Sequence, residues 1–229
     1  MFMYEKDGKI QITFNSNGPV ENPDYVLSAD VESGALLVND VALPVAEGAD
    51  QCNVLLDDKV YETAQEITHS MILNLNGHSV SIPEDPEGNG VFWVKDGGSL
   101  TINGDGVING VGKNDYNMAI WADGGNVVIN GGTFTNVGAF AEDTADHFDL
   151  IYAKSGGVVE INGGTFICAT PKWTLNNNDK NPGTFIVKGG TFVGFDPSAT
   201  DTEPGGVTNF VAPGYKVVVE GNNYSVVPE

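Results

Sequence analysis

The chain contains no arginine, and its ten basic residues, all lysine, face 31 acidic ones, giving a formal net charge of −21. Binding a phosphate backbone requires a basic footprint, so nucleic acid is not an expected partner, and an anionic membrane surface is disfavoured on the same ground. Cysteine is equally scarce. Cys52 and Cys168 lie far apart in sequence and read as buried thiols rather than a disulfide, and with His69 and His78 they show no zinc-ligand spacing. Long hydrophobic runs are missing, with no window approaching 18 consecutive apolar residues, so no transmembrane span is expected. The first 30 residues lack the basic start and apolar run of a secretory signal, and the expectation is synthesis in a cytoplasm without export by that route.

What the chain has is glycine, 30 residues of it, placed periodically. Aligned on Gly131 of Gly-Gly-Asn-Val-Val-Ile-Asn-Gly-Gly-Thr-Phe (124 to 134), similar stretches recur at Gly77, Gly104, Gly163, Gly189 and Gly221, with spacings of 27, 27, 32, 26 and 32 residues along the chain. Before each marker two apolar residues alternate with polar or small ones, as in Leu100 and Ile102, Val127 and Ile129, and Val159 and Ile161, which is the period of a strand. Three residues after each marker comes another apolar residue: Val80, Val107, Phe134, Phe166, Phe192 and Tyr224. A unit of this length with no helical period cannot bury its own apolar side, so units must stack, with strands of successive coils pairing in parallel. The predicted fold is all-β, a parallel β-helix of about six coils over residues 51–229.

The Leu-Asn-Leu-Asn-Gly-His-Ser-Val opening (73 to 80), the Ile-Asn-Gly-Gly-Thr-Phe coils and the Pro-Gly-Tyr-Lys-Val-Val-Val-Glu-Gly-Asn-Asn-Tyr-Ser-Val-Val-Pro close (213 to 228) resemble right-handed, pectate-lyase-like β-helix repeats. Repeats of this kind recur in phage virion proteins and bacterial surface proteins. The resemblance implies a structural virion protein of a tailed phage, a capsid decoration or head fibre assembled in the host cytoplasm, with no catalytic activity and no cofactor. A homotrimer and a host glycan are the further partners it allows. The alternative from another class is a carbohydrate-active β-helix, a polysaccharide lyase or hydrolase, or a glycan-binding adhesin.

Residues 1–50 fall outside the repeat. Lys9–Phe14 alternates like a strand and Ala35–Val45 reads as a hairpin, together an irregular β arm that either caps the open solenoid end or docks the protein onto capsid or other virion proteins. Residues 54–67 are read as strands of an initial coil, although Val60, Ala64 and Ile67 also fit a short helix. The stretch from Trp173 to Pro182 breaks the pattern and is expected to be loop. Pro228 and Glu229 are expected to blunt the last strand.

Three constellations could carry chemistry. Asn76, Asn103, Asn130 and Asn162 share one phase and could form an amide ladder ended by Lys188. Asp96 and Asp123 occupy equivalent positions in adjacent coils, where two carboxylates could share a cation or a proton, or simply make Asp-Gly turns. Glu142, Asp143, Asp146, His147 and Asp149 form the densest titratable cluster, suited to a cation, a partner, an inverting-hydrolase pair, or plain solvation. Trp93, Trp121, Tyr152, Trp173 and Phe210 could build an aromatic face for sugars, with about half of them turned into the core by strand alternation.

Overall fold

The computed structural model describes residues 2–6, 9–14, 25–29, 36–38, 41–42, 51–82, 90–110, 118–136 and 149–229. Near the start, β1 (Phe2–Lys6), β2 (Lys9–Thr13), β3 (Tyr25–Ala29), β4 (Leu36–Val38) and β5 (Val41–Ala42) form one antiparallel sheet in which sequence neighbours are spatial neighbours. The expected strand at Lys9 and the hairpin after Ala35 are both there.

From Gln51 the chain winds as a parallel β-solenoid through β6 (Gln51–Val54), β7 (Lys59–Val60) and β8 (Gln65–Ile67), then β9 (Ser70–Asn74), β10 (Ser79–Ser81) and β11 (Phe92–Lys95). It continues through β12 (Ser99–Asn103), β13 (Val107–Asn109) and β14 (Ile120–Asp123), then β15 (Asn126–Ile129), β16 (Thr133–Thr135) and β17 (Ile151–Lys154). The last coils are β18 (Val158–Ile161), β19 (Thr165–Ile167) and β20 (Leu175–Asn177), followed by β21 (Thr184–Val187) and β22 (Thr191–Val193). Equivalent strands stack into three parallel walls: a first running β6-β9-β12-β15-β18-β21, a second running β7-β10-β13-β16-β19-β22 and a third running β8-β11-β14-β17-β20. Residues 54–67 are strand and turn, not helix.

The Gly-Gly-Thr-Phe step shows why the motif recurs. At its first glycine a side chain has no room: a Cβ on Gly163 would lie 2.7 Å from the Asn130 carbonyl oxygen of the coil before. At its second glycine the backbone turns left-handed, with φ of +89° at Gly132, +103° at Gly164 and +95° at Gly190, a region that favours glycine. The phenylalanine that follows then points inward at the same height in each coil. Phe134 and Phe166 stack at 5.1 Å, and Phe166 and Phe192 at 4.6 Å, all three fully buried. Leu73, Ile102, Ile129, Ile161 and Val187 make a second buried column in strict register on the first wall.

Several expectations shift by small steps. The column member in the second coil is Ile108, not Val107, because Gly104-Asp105-Gly106 inserts one residue into that turn and rotates the next strand by one side chain. The partner of Leu100 is Met71, and that of Ile102 is Leu73, with Leu75 buried just beyond the strand. The Trp173 stretch is not a loop wall: a 3-10 turn at Pro171–Trp173 leads into β20, which pairs in parallel with β17.

The largest correction concerns the end. Four full turns separate Gly77 from Gly189, but Gly221 opens no further coil. After a small hairpin of β23 (Thr200–Asp201) and β24 (Val207–Thr208), the chain closes with β25 (Tyr215–Glu220) and β26 (Asn223–Pro228), an antiparallel hairpin whose second strand runs antiparallel to β22. Tyr224 still meets Phe192 in register, which is how a hairpin came to mimic a repeat. Pro228 does not blunt the outermost strand, because β26 lies between β22 and β25.

Candidate functional site

The outer surface of the third wall gathers most of the chemistry. Strand alternation turns Phe92, Ile120, Ile151 and Leu175 into the core, and Val94, Ala122 and Ala153 likewise. The residues between them face outward in two register columns: Glu66, Trp93, Trp121, Tyr152 and Asn176 in one, and Lys95, Asp123 and Lys154 in the other.

In the first column Trp93 and Trp121 stack with centroids 5.2 Å apart and planes within 12°, and Tyr152 meets Trp121 edge-on at 6.3 Å. The indoles therefore lie against each other along the stack and do not lie flat on the wall. Trp121 and Tyr152 are buried together with Met118, Trp93 is half-buried, and Lys95 and Lys154 place their ammonium groups 3.8 Å and 4.3 Å from the Trp93 and Trp121 ring centres. Such contacts contribute about 0.5–2 kcal/mol each. A sugar platform needs an open ring face, which this arrangement uses internally. Of the other aromatics, Phe210 packs on Phe185 in the core and Trp173 is half-buried with Lys172 over its ring.

The second column alternates in charge. Lys95 pairs with Glu66 at 2.7 Å, and Lys154 lies 3.5 Å from Asp123, which also accepts from the Trp93 indole N–H at 3.2 Å. This overturns the expected Asp96–Asp123 pair. The turn after Lys95 holds three residues before Ser99, but the turn after Asp123 holds two before Asn126, so Asp123 comes into register with Lys95, and Asp96 meets Gly124 instead. Asp96 is exposed in its turn.

Of the acidic cluster, Glu142, Asp143, Asp146 and His147 lie outside the described residues, while Asp149 is placed where the chain rejoins the third wall. Asn136, fully buried, closes the base of this insertion: its amide donates to the Asp149 carbonyl at 3.1 Å and accepts from the Ala169 N–H at 2.8 Å. The Asp149 carboxylate accepts from Asn176 Nδ2 at 2.9 Å, and the same nitrogen reaches Glu203 at 3.2 Å. Glu203 also accepts from the Tyr152 hydroxyl at 3.0 Å, while Asn178 donates to that hydroxyl at 2.9 Å. Burial raises the Tyr152 phenol above its ordinary range, with neighbouring Glu203 adding to the effect, so it acts as a neutral donor. Glu203 sits in the turn between β23 and β24, and nothing in the repeat pattern announced it. The only cue was that residues 194 to 206 make one coil longer.

The Asn ladder forms over three of its four expected members. Asn162 donates to Asn130 at 3.0 Å and Asn130 to Asn103 at 2.8 Å, but Asn76 sits in a left-handed turn and donates to the Leu55 carbonyl. At the other end Glu160 accepts from Asn162 at 3.1 Å and pairs with Lys188 at 2.8 Å. Those two partners, Lys188 first, hold the Glu160 carboxyl below its usual range. Cys168 is buried, which pushes its thiol up to about 12, while the side chain of Cys52 lies outside the described residues. His78 is half-buried in a turn, 3.7 Å from Asp58. Among the described residues no three of His, Cys, Asp and Glu come together as a metal site.

Comparisons with protein families, curated proteins and solved structures found no match.

Proposed function

We propose that the chain is a structural subunit displayed on a larger particle, docked through residues 1–50, with the solenoid as the presented body. The observation that carries this reading is the apolar face of the first sheet. Met3 pairs with Ile12, and Ile10 with Leu27, so these four side chains share one face. Met3 and Ile10 are 64% and 47% exposed on it. Exposed apolar side chains clustered on one side of a small sheet are the kind of surface a partner covers. The resemblance of the coils points to a tailed-phage virion as the particle, and to a capsid or neighbouring virion protein as the docking partner.

The test compares the full chain, residues 51–229 alone, and full-length Met3→Glu/Ile10→Lys as baits against disassembled virions, with retained proteins identified by mass spectrometry. The reading expects the full chain alone to retain a virion structural protein. Equal retention by all three baits, or none by any, overturns it.

A second reading is favoured by one observation, the convergence of Asp149 and Glu203 on a single amide nitrogen. This holds their nearest oxygens no more than about 6 Å apart, a bound that takes in the roughly 5–5.5 Å separation of a retaining carboxylate pair. Depolymerisation of a polysaccharide by the purified chain, abolished in Asp149→Asn and in Glu203→Gln, would establish it.

A further inference from the structure

We infer that the closing hairpin is a self-association surface at which two copies join their β25 strands antiparallel about a twofold axis centred on Val218. The inference is independent of the docking role of residues 1–50.

The hydrogen-bond phase of the hairpin comes first. Glu229 N–H donates to the Gly214 carbonyl at 3.0 Å, which makes residues 214 and 229 a hydrogen-bonded pair. Such pairs alternate along an antiparallel ladder, so with the observed register Lys216/Val227, Val218/Ser225 and Glu220/Asn223 are also hydrogen-bonded. Tyr215, Val217 and Val219 then direct their N–H and C=O groups away from β26. They face outward, because β25 is the terminal strand of the eight-stranded sheet that β22 and the hairpin complete. Pro228, opposite Tyr215, falls at a position that sends no N–H toward β25, so the hairpin loses nothing there.

The edge carries neither proline nor bulge, and its two charged side chains, Lys216 and Glu220, are of opposite sign. Tyr-Lys-Val-Val-Val-Glu is a six-residue strand of high β propensity, and Val218 and Val219 are 47% and 56% exposed. Its outer face carries Lys216, Val218 and Glu220, all exposed, while Tyr215 and Val217 pack on the core.

The identity of the partner follows from the charge pattern and the phase together. Twofold antiparallel pairing about Val218 sets Val217 against Val219 of the second copy, so that their outward-facing backbone groups bond. It also sets Lys216 against Glu220 of the second copy, twice, in non-hydrogen-bonded pairs whose Cα atoms approach to about 4.5 Å. Shifting the pairing by two residues keeps the backbone phase but takes Lys216 off Glu220. The strand is therefore complementary to itself in one register, the mark of an isologous interface.

A single added strand buries less than a standard interface, and a charge of −21 on each copy opposes approach, so the dimer is expected to be weak, with Kd on the order of 10 µM at about 0.15 M salt. The experiment is sedimentation velocity of the full chain over a concentration series, with Lys216→Glu, Glu220→Lys and the double exchange. The expected result is a dimer for the native chain, at least a tenfold weaker one for each single variant because like charges now face each other, and recovery in the double exchange. Circular dichroism confirms that these surface variants remain folded. A native chain that stays monomeric to several hundred micromolar, single variants that dimerise like the native chain, or a double exchange that fails to recover would each overturn the inference.

Discussion

Asn176 shows how much one buried amide can hold together. Almost fully buried, it donates to Asp149 and Glu203 and accepts from the N–H groups of Asn177 and Glu203 through its own oxygen. Tyr152 makes two hydrogen bonds nearby, but Glu203 is exposed and Asn178 half-buried, so water can replace the phenol for both. The two residues should therefore differ in weight. Tyr152→Phe is expected to lower stability by about 1 kcal/mol, the net value of an ordinary hydrogen bond. Asn176→Leu also buries an apolar group where the half-buried Asp149 carboxylate and the N–H of buried Asn177 lose their partner, and about 2–4 kcal/mol is expected. Urea unfolding of both variants checks the order. Equal losses would mean that the network is held by the phenol as much as by the amide.

At the scale of the coil, the inward column carries the stability. Phe166 is stacked between Phe134 and Phe192 and fully buried, so Phe166→Ala opens a cavity with aromatic walls on both sides, and a loss of about 3–5 kcal/mol is expected. Phe192→Ala should cost less, since Tyr224 of the closing hairpin and Phe195, outside the strands, can relax toward it. Thermal unfolding of the two variants decides the ranking. These columns were legible in the sequence because a parallel stack repeats each residue type at each coil, and Gly-Gly-Thr-Phe announces both the turn and the core residue. What was not legible was turn length. One residue more before Ile108, or one fewer after Asp123, leaves the motif spacing looking regular but moves a strand by one side chain, which in a two-faced wall exchanges core for surface. The Asp96–Asp123 pair was read from motif spacing and failed for that reason, while the alternating Glu66–Lys95 and Asp123–Lys154 contacts could be seen only once the register was known. Glu203 and Asp149 were brought together by segments outside the repeat, about which periodicity says nothing.

For the whole molecule, two electrostatic terms of opposite sign compete. Local ion pairs such as Lys95–Glu66 and Lys188–Glu160 favour the folded state, but they lie on or near the surface, where each contributes about 1 kcal/mol or less and is screened by salt. Against them stands the net charge of −21, confined by folding to the surface of a small body and repelling itself over distances that salt also screens. With only ten lysines available for 31 carboxylates, most acidic groups have no cationic partner, so repulsion is the larger sum. Raising sodium chloride from about 10 mM to 150 mM shortens the Debye length from about 30 Å to 8 Å, which removes more of the long-range repulsion than of the contacts at 2.7–2.8 Å. The melting temperature is therefore expected to rise by several degrees over that range in calorimetry at pH 7, with the protein dilute enough to remain monomeric. A fall would mean that the alternating charge column on the third wall outweighs the net charge. In that case Lys95→Met should lose stability at low salt and match the native chain at high salt.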